Sequence, residues 1–198
     1  MPPQPVFESI ETYTQVEFED LVAERERLGD DHHYELLNGR VVMTPPAGYP
    51  HGGIEAALLR IIGSFVRAGK LGRVCGSSQG FALPSGDTVE PDASFVSEER
   101  WNAGPAPIPG KFLRVVPDLV VEILSTRTAS RDRGEKKAIY ERAGVREYWL
   151  VDSRARTVVR FARVRDRFDR GSTSSAGEAV ESIVLAGLRV SVDELFDV

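Results

Sequence analysis

This 198-residue sequence predicts an α/β (or α+β) fold, a mixed β-sheet flanked by helices, on three observations. Residues 115–152 read as a buried strand, a polar loop, an amphipathic helix and a second strand. That unit joins parallel neighbours through a right-handed crossover. Ile54, Ala57, Leu58, Ile61, Ile62, Phe65 and Val66 recur at the spacing of one helical face. Two apolar runs between Tyr34 and Met43 flank Asn38-Gly39, the pair that supplies the positive φ of a tight hairpin turn.

The remaining elements follow in chain order. Residues 1–12 carry prolines and predict a loosely held tail. Thr14-Gln15-Val16-Glu17 is a capping box that opens a first helix, running to about Arg27. The helix beginning at His51 should stop at Gly69 and Gly72. Residues 73–83 read as one strand, 84–87 as a turn and 88–96 as another strand, with a Pro/Gly-rich surface loop over 101–111. After residues 146–151, Thr157–Val164 is a further strand and 169–177 a polar tip. Residues 183–185 predict a short last strand and 191–196 a closing helical turn. There is no internal repeat, and a single domain spanning 1–198 is expected, long enough to bury a core without staples.

Composition narrows the class. The hydrophobic fraction of 41% and charged fraction of 28% are those of a globular protein in water. No apolar run approaches the roughly 18 residues of a membrane span, and the N-terminus lacks a basic region followed by an apolar core. Cys75 is the lone cysteine, which excludes an internal disulfide framework and a cysteine-rich zinc site. A cytoplasmic protein without membrane attachment is expected. The net charge of −5 argues mildly against nonspecific nucleic-acid binding. Arg154, Arg156, Arg160, Arg163, Arg165, Arg167 and Arg170, against Asp166 and Asp169, either give the C-terminal third a basic face or simply solvate it.

The chemistry concentrates around Glu122, an acid in the middle of the apolar run 119–124. Alternation puts Asp118, Val120, Glu122 and Leu124 on one face of that strand, so the carboxylate needs a cation or hydrogen-bond donors to meet it. Lys136 supplies one, because its helical phase relative to Ile139, Tyr140 and Ala143 turns it toward the sheet while Lys137 turns toward solvent. Asp92, after Pro91, shares a strand face with Glu90, Ser94 and Val96. Two carboxylates on adjacent strands suit a hard divalent cation, Mg²⁺ or Mn²⁺, and a lysine beside them suits a water to be oriented. The alternative is a structural Glu122–Lys136 ion pair with Asp92 as a turn residue. Asp118 lies about 13 Å along the strand from Glu122, too far to share one metal. Glu35 is either a further acid of the site or an exposed strand residue, and His51 either a substrate contact or a capping residue. Cys75 reads as a small core residue, and no Walker loop or GxSxG elbow is present.

Taken together, PDASFV, PDLVVEILS and RDRGEKKAIYERAGVREYWLVD, preceded by YELLNGRVVM and a His-led helix, resemble the Uma-type restriction endonuclease family of the PD-(D/E)XK nuclease superfamily. The resemblance covers residues 34–164. It implies a restriction-endonuclease-like core, metal-dependent cleavage of phosphodiester bonds in DNA, and a homodimer. By resemblance Asp92 is the PD aspartate, Glu122 the acid of the (D/E)XK element and Glu35 the acid of the first hairpin. Asp92, Glu122 and the Ile123 carbonyl would bind Mg²⁺ or Mn²⁺. The orthodox lysine position holds Leu124, and in this family the lysine is taken to have moved to the following helix, where Lys136 matches it. The alternative is a catalytically inactive nuclease-fold protein acting as a DNA-binding or protein-interaction module.

Overall fold

A computed structural model describes residues 7–30 and 32–198. Of the tail expected over 1–12, residues 1–6 lie outside the described ones, and β1 (Phe7–Glu8) pairs within a sheet. Helix α1 (Gln15–Arg27) opens on its capping box, with Thr14 N–H donating to the Glu17 carboxylate at 2.8 Å. Strands β2 (His33–Leu37) and β3 (Arg40–Thr44) form the expected hairpin, Asn38 and Gly39 taking φ of 51° and 80°. Helix α2 (His51–Gly69) buries Ile54, Ala57, Leu58, Ile62 and Val66. Its left-handed cap is Lys70, at φ 51°, rather than either glycine.

The next stretch corrects the sequence reading. Instead of two continuous strands there are four short ones: β4 (Gly72–Gly76), β5 (Phe81–Ala82), β6 (Thr88–Val89) and β7 (Ala93–Ser97). The chain leaves one sheet after β4, builds β5 and β6 in another, and returns at β7. The polar residues 77–80 and the pair Pro91-Asp92 occupy the two crossings, where ladder hydrogen bonds stop and a proline does no harm. Glu90 and Asp92 therefore sit in a connection and not on a strand face. Helix α3 (Glu98–Ala103), capped by Ser97, takes up the start of the expected surface loop.

Strand β8 (Leu119–Leu124) is followed by α4 (Ala129–Arg131), a π-helical turn over Asp132–Lys136, and α5 (Lys137–Ala143), ended by Gly144 at φ 90°. Strands β9 (Glu147–Asp152), β10 (Thr157–Val164), β11 (Arg167–Phe168) and β12 (Ser172–Ser174) complete the large sheet. A two-stranded ribbon of β13 (Ala179–Glu181) and β14 (Arg189–Ser191) precedes α6 (Val192–Phe196). The polar tip thus contains a strand, and residues 183–185 form the connection of the ribbon rather than a strand.

The larger sheet runs β11-β10-β9-β8-β7-β4, with β12 on β10, and the smaller runs β1-β3-β2-β6-β5. Strands β8 and β9 are parallel, in register from Leu119–Glu147 to Leu124–Asp152, and β7 is antiparallel to β8. The large sheet is covered on both faces. Leu119, Val121 and Ile123 pack with α2 and α6, whereas Val120 and Leu124 pack with Ile139 and Tyr140 of α5. Glu122 shares the α5 face, as alternation requires.

Two further buried acids hold the frame. Glu147 is fully buried: one oxygen accepts from Trp149 Nε1 at 2.8 Å, the other from Ser182 Oγ and the Ile183 and Val184 N–H groups, which ties the ribbon to β9. Asp118 accepts from Ser97 N–H at 2.8 Å and faces Arg100 Nε at 3.1 Å and Arg146 at 3.0 Å, fastening the start of β8. Lys137 is half-buried instead of solvent-facing, its ammonium 3.7 Å from the centre of the Phe161 ring. Among the C-terminal arginines, Arg156, Arg160 and Arg163 donate to backbone carbonyls of Phe196, Glu181 and Glu141, so the basic stretch is partly structural.

A pair of glycine substitutions tests this packing. A Cβ on Gly72 would lie 2.1 Å from the Val96 carbonyl oxygen, whereas one on Gly63, inside α2, meets nothing within 4 Å. Urea titration should show Gly72→Ala destabilised by about 1–3 kcal/mol and Gly63→Ala stabilised by roughly 0.5–1 kcal/mol.

Candidate active site

At the end of β8 the large sheet meets the hairpin sheet, and the sequence-predicted residues converge there. Lys136 Nζ lies 2.6 Å from Glu122 Oε1 and 2.8 Å from Glu35 Oε1. The Tyr140 hydroxyl donates to the same Glu122 oxygen at 2.6 Å. Asp92, just before β7, accepts the Ile123 N–H at 2.6 Å, and its other oxygen is 3.3 Å from His51 Nε2 at the start of α2. Glu35 also accepts the Glu90 N–H at 2.9 Å, while Glu90 meets His33 Nδ1 at 3.0 Å. The helical segment after β8 reaches this point through its π turn, within which Asp132 and Lys136 are buried together. Such turns recur at functional positions.

All of these residues except Tyr140, which stands behind Glu122, line a cavity of about 170 Å³. Its walls carry six carboxylates, Glu35, Glu55, Glu90, Asp92, Glu122 and Asp132, against the permanent cations Arg127, Arg131 and Lys136. His33, His51, Ile123 and Ser125 are among its other lining residues. The structure thus brings Asp92, Glu122, Ile123, Lys136 and Glu35 to one place, with His51 beside them. Asp118 does not line the cavity, in keeping with its distance along the strand, and Cys75 is a half-buried core neighbour.

The electrostatics follow from burial. Burial pushes the Glu122 carboxyl well above the ordinary range; Lys136 opposes that, while Asp132, Asp92 and Glu35 add to it. Asp132 is raised to about 6, again chiefly by burial with Lys136 opposing. Glu90 is raised by burial, with the His33 hydrogen bond opposing. Burial pulls the Lys136 ammonium down, but Glu122, Glu35 and Asp132 overcome this and hold it well above its usual value. Lys136 is therefore a firm cation, while burial presses Glu122, Asp132 and Glu90 toward their neutral forms, a cost that a further cation would relieve.

Asp132, Glu90 and Tyr140 complete the site without having been expected there. Asp132 precedes Lys136 by four residues, so helical spacing alone places both on one face. Glu90 reaches the cavity from the connection between β6 and β7, which the continuous-strand reading concealed. Among the described residues, no three His, Cys, Asp or Glu side chains are arranged to hold a metal ion.

The ion triad sets a stability expectation. Removing Lys136, which is only 4% exposed, leaves two carboxylates facing each other in a low-dielectric site. Lys136→Ala should lose roughly 3–5 kcal/mol in chemical denaturation, and adding Glu122→Gln to it should recover part of the loss.

Comparison with known proteins agrees with this architecture. No curated protein matches the chain. Among solved structures, a crystal structure titled a putative nuclease belonging to DUF820, from Anabaena variabilis, superposes with a TM-score of 0.73 at 19% identity. The match covers 92% of this chain and 97% of that one, and it shows a shared fold. The sequence profile of the Uma2 family, described as "putative restriction endonuclease", matches residues 15–193. Among the described residues, no helix is long and apolar enough to cross a membrane. Family and fold together point to a nuclease, and the chain belongs to the Uma2 family.

Proposed function

We propose that this protein is a Mg²⁺- or Mn²⁺-dependent endonuclease that hydrolyses phosphodiester bonds in DNA. The observation that carries the reading is the convergence of Asp92, Glu122 and Lys136 beside an acid-rich cavity at the end of β8. The donor set fits a hard cation that keeps much of its water: two carboxylates and a main-chain carbonyl, all oxygen. The cavity also holds more carboxylate than its own cations neutralise, and burial penalises the charged forms of Glu122, Asp132 and Glu90. A divalent ion would be held by Asp92, Glu122 and the Ile123 carbonyl. When bound it would supply Lewis-acid stabilisation of charge on the phosphoryl group.

The chain's own groups have distinct tasks. The Ile123 N–H and His51 fix the Asp92 carboxylate, so its orientation precedes any ligand. Lys136, held as a cation, does not take a proton; it orients the attacking water and offsets negative charge developing on the phosphate. Tyr140 and Glu35 hold Glu122 and Lys136 in register. A second reading, a nuclease-fold module without cleavage activity, is favoured by one feature. Both carboxylates facing Lys136 are within ion-pair distance, as a purely structural triad would have them.

The test is cleavage of supercoiled plasmid and single-stranded DNA with Mn²⁺, Mg²⁺ or EDTA. Wild type should nick DNA only with metal. Asp92→Asn and Glu122→Gln, shown to be folded by circular dichroism, should lose about 100-fold or more in rate. A fully active Glu122→Gln variant, or cleavage in EDTA, contradicts the assignment. Absence of cleavage on every substrate favours the inactive module.

A further inference from the structure

Three permanent cations line the cavity, and two are already committed. Lys136 is shared between Glu122 and Glu35, and Arg131 pairs with Glu8 at 3.0 Å and Glu135 at 3.3 Å. Arg127 differs. Its Nε is shut off from solvent and, among the described residues, has no hydrogen-bond partner. The backbone carrying it is fixed, because Ser125 Oγ accepts the Arg127 N–H at 3.2 Å and the Thr128 N–H at 3.1 Å. A guanidinium is expensive to desolvate without an acceptor. A purely structural arginine beside so many carboxylates would be paired, as Arg131 is.

We infer that Arg127 is a phosphate-binding residue, its guanidinium taking the non-bridging oxygens of a backbone phosphate of the substrate strand. The planar fork of arginine donors matches phosphate oxygens in pairs, and a position five residues beyond Glu122 places it on the same wall as the reacting groups. It also gives an acid-lined cavity a means of admitting a polyanion. The assignment rests on the nuclease reading above and adds the residue that holds the substrate.

The experiment compares wild type, Arg127→Ala and Arg127→Lys in three measurements. These are binding of a fluorescent DNA duplex in EDTA across a KCl series, steady-state cleavage with Mn²⁺, and thermal unfolding. Loss of one phosphate contact should reduce the slope of log K against log salt by about one in Arg127→Ala. It should also raise KM about tenfold with a smaller change in kcat. Arg127→Lys should restore the slope but only part of the affinity, since a point charge replaces the fork. The melting temperature should not fall, because no partner is lost. Cleavage by wild type together with an unchanged slope and KM in Arg127→Ala overturns the phosphate role alone. A lowered melting temperature with an unchanged slope overturns it in favour of a structural role. A wild type that neither binds nor cleaves DNA overturns the nuclease reading, and the role of Arg127 with it.

Discussion

The contact on which the rest of this structure turns is the Lys136 ammonium between the Glu122 and Glu35 carboxylates, 2.6 and 2.8 Å away. It joins three elements from distant parts of the chain: strand β8, the helical segment behind it, and the N-terminal hairpin. Desolvating such ions costs several kcal/mol each, so the triad is a poor source of net stability. Its value is geometric. Glu122 can be an acid inside a strand whose six residues are all buried only because Lys136 and Tyr140 meet it there. The hairpin sheet in turn is anchored at the mouth of the large sheet by Glu35.

The large sheet makes that arrangement rigid. Because β8 is packed by α2 on one face and α5 on the other, its backbone has no freedom to adjust, and the Ile123 N–H becomes a fixed donor for Asp92. Buried acids at the start of the neighbouring strands β8 and β9, Asp118 and Glu147, hold those strand starts and the C-terminal ribbon by the same means, a carboxylate facing donors. The protein thus uses buried carboxylates twice over. Those away from the cavity meet arginine, tryptophan or main-chain groups, and those lining it stand six together around Arg127, Arg131 and Lys136. The crowding of acids in one cavity separates the candidate functional ones from the structural ones.

Much of this was legible in the sequence wherever one periodicity governed a segment. Alternation along 119–124 put Glu122 on the α5 face, helical phase turned Lys136 inward, and Asn38-Gly39 marked the hairpin; each is local and survives folding unchanged. The misreading of residues 73–96 has one physical source: a chain segment that changes sheets. Residues 73–83 and 88–96 are strand-like apart from the polar run 77–80 and Pro91-Asp92; those interruptions mark the crossings, but which sheet the chain joins next is decided by packing between sheets. Glu90 was lost for that reason. Asp132 was within reach of the i, i+4 spacing to Lys136, but the π turn that buries both has no signature in residue type. Arg127 could not have been singled out, since its distinction is the lack of a partner in three dimensions.

The central claim is that Asp92 and Glu122 together receive a divalent cation. Calorimetric titration of Mn²⁺ into metal-free wild type and into Asp92→Asn examines that claim without requiring a substrate or a turnover. The account predicts saturable binding by wild type that is lost in Asp92→Asn, with both proteins equally folded. Binding of equal strength in both, or none in wild type, would contradict it.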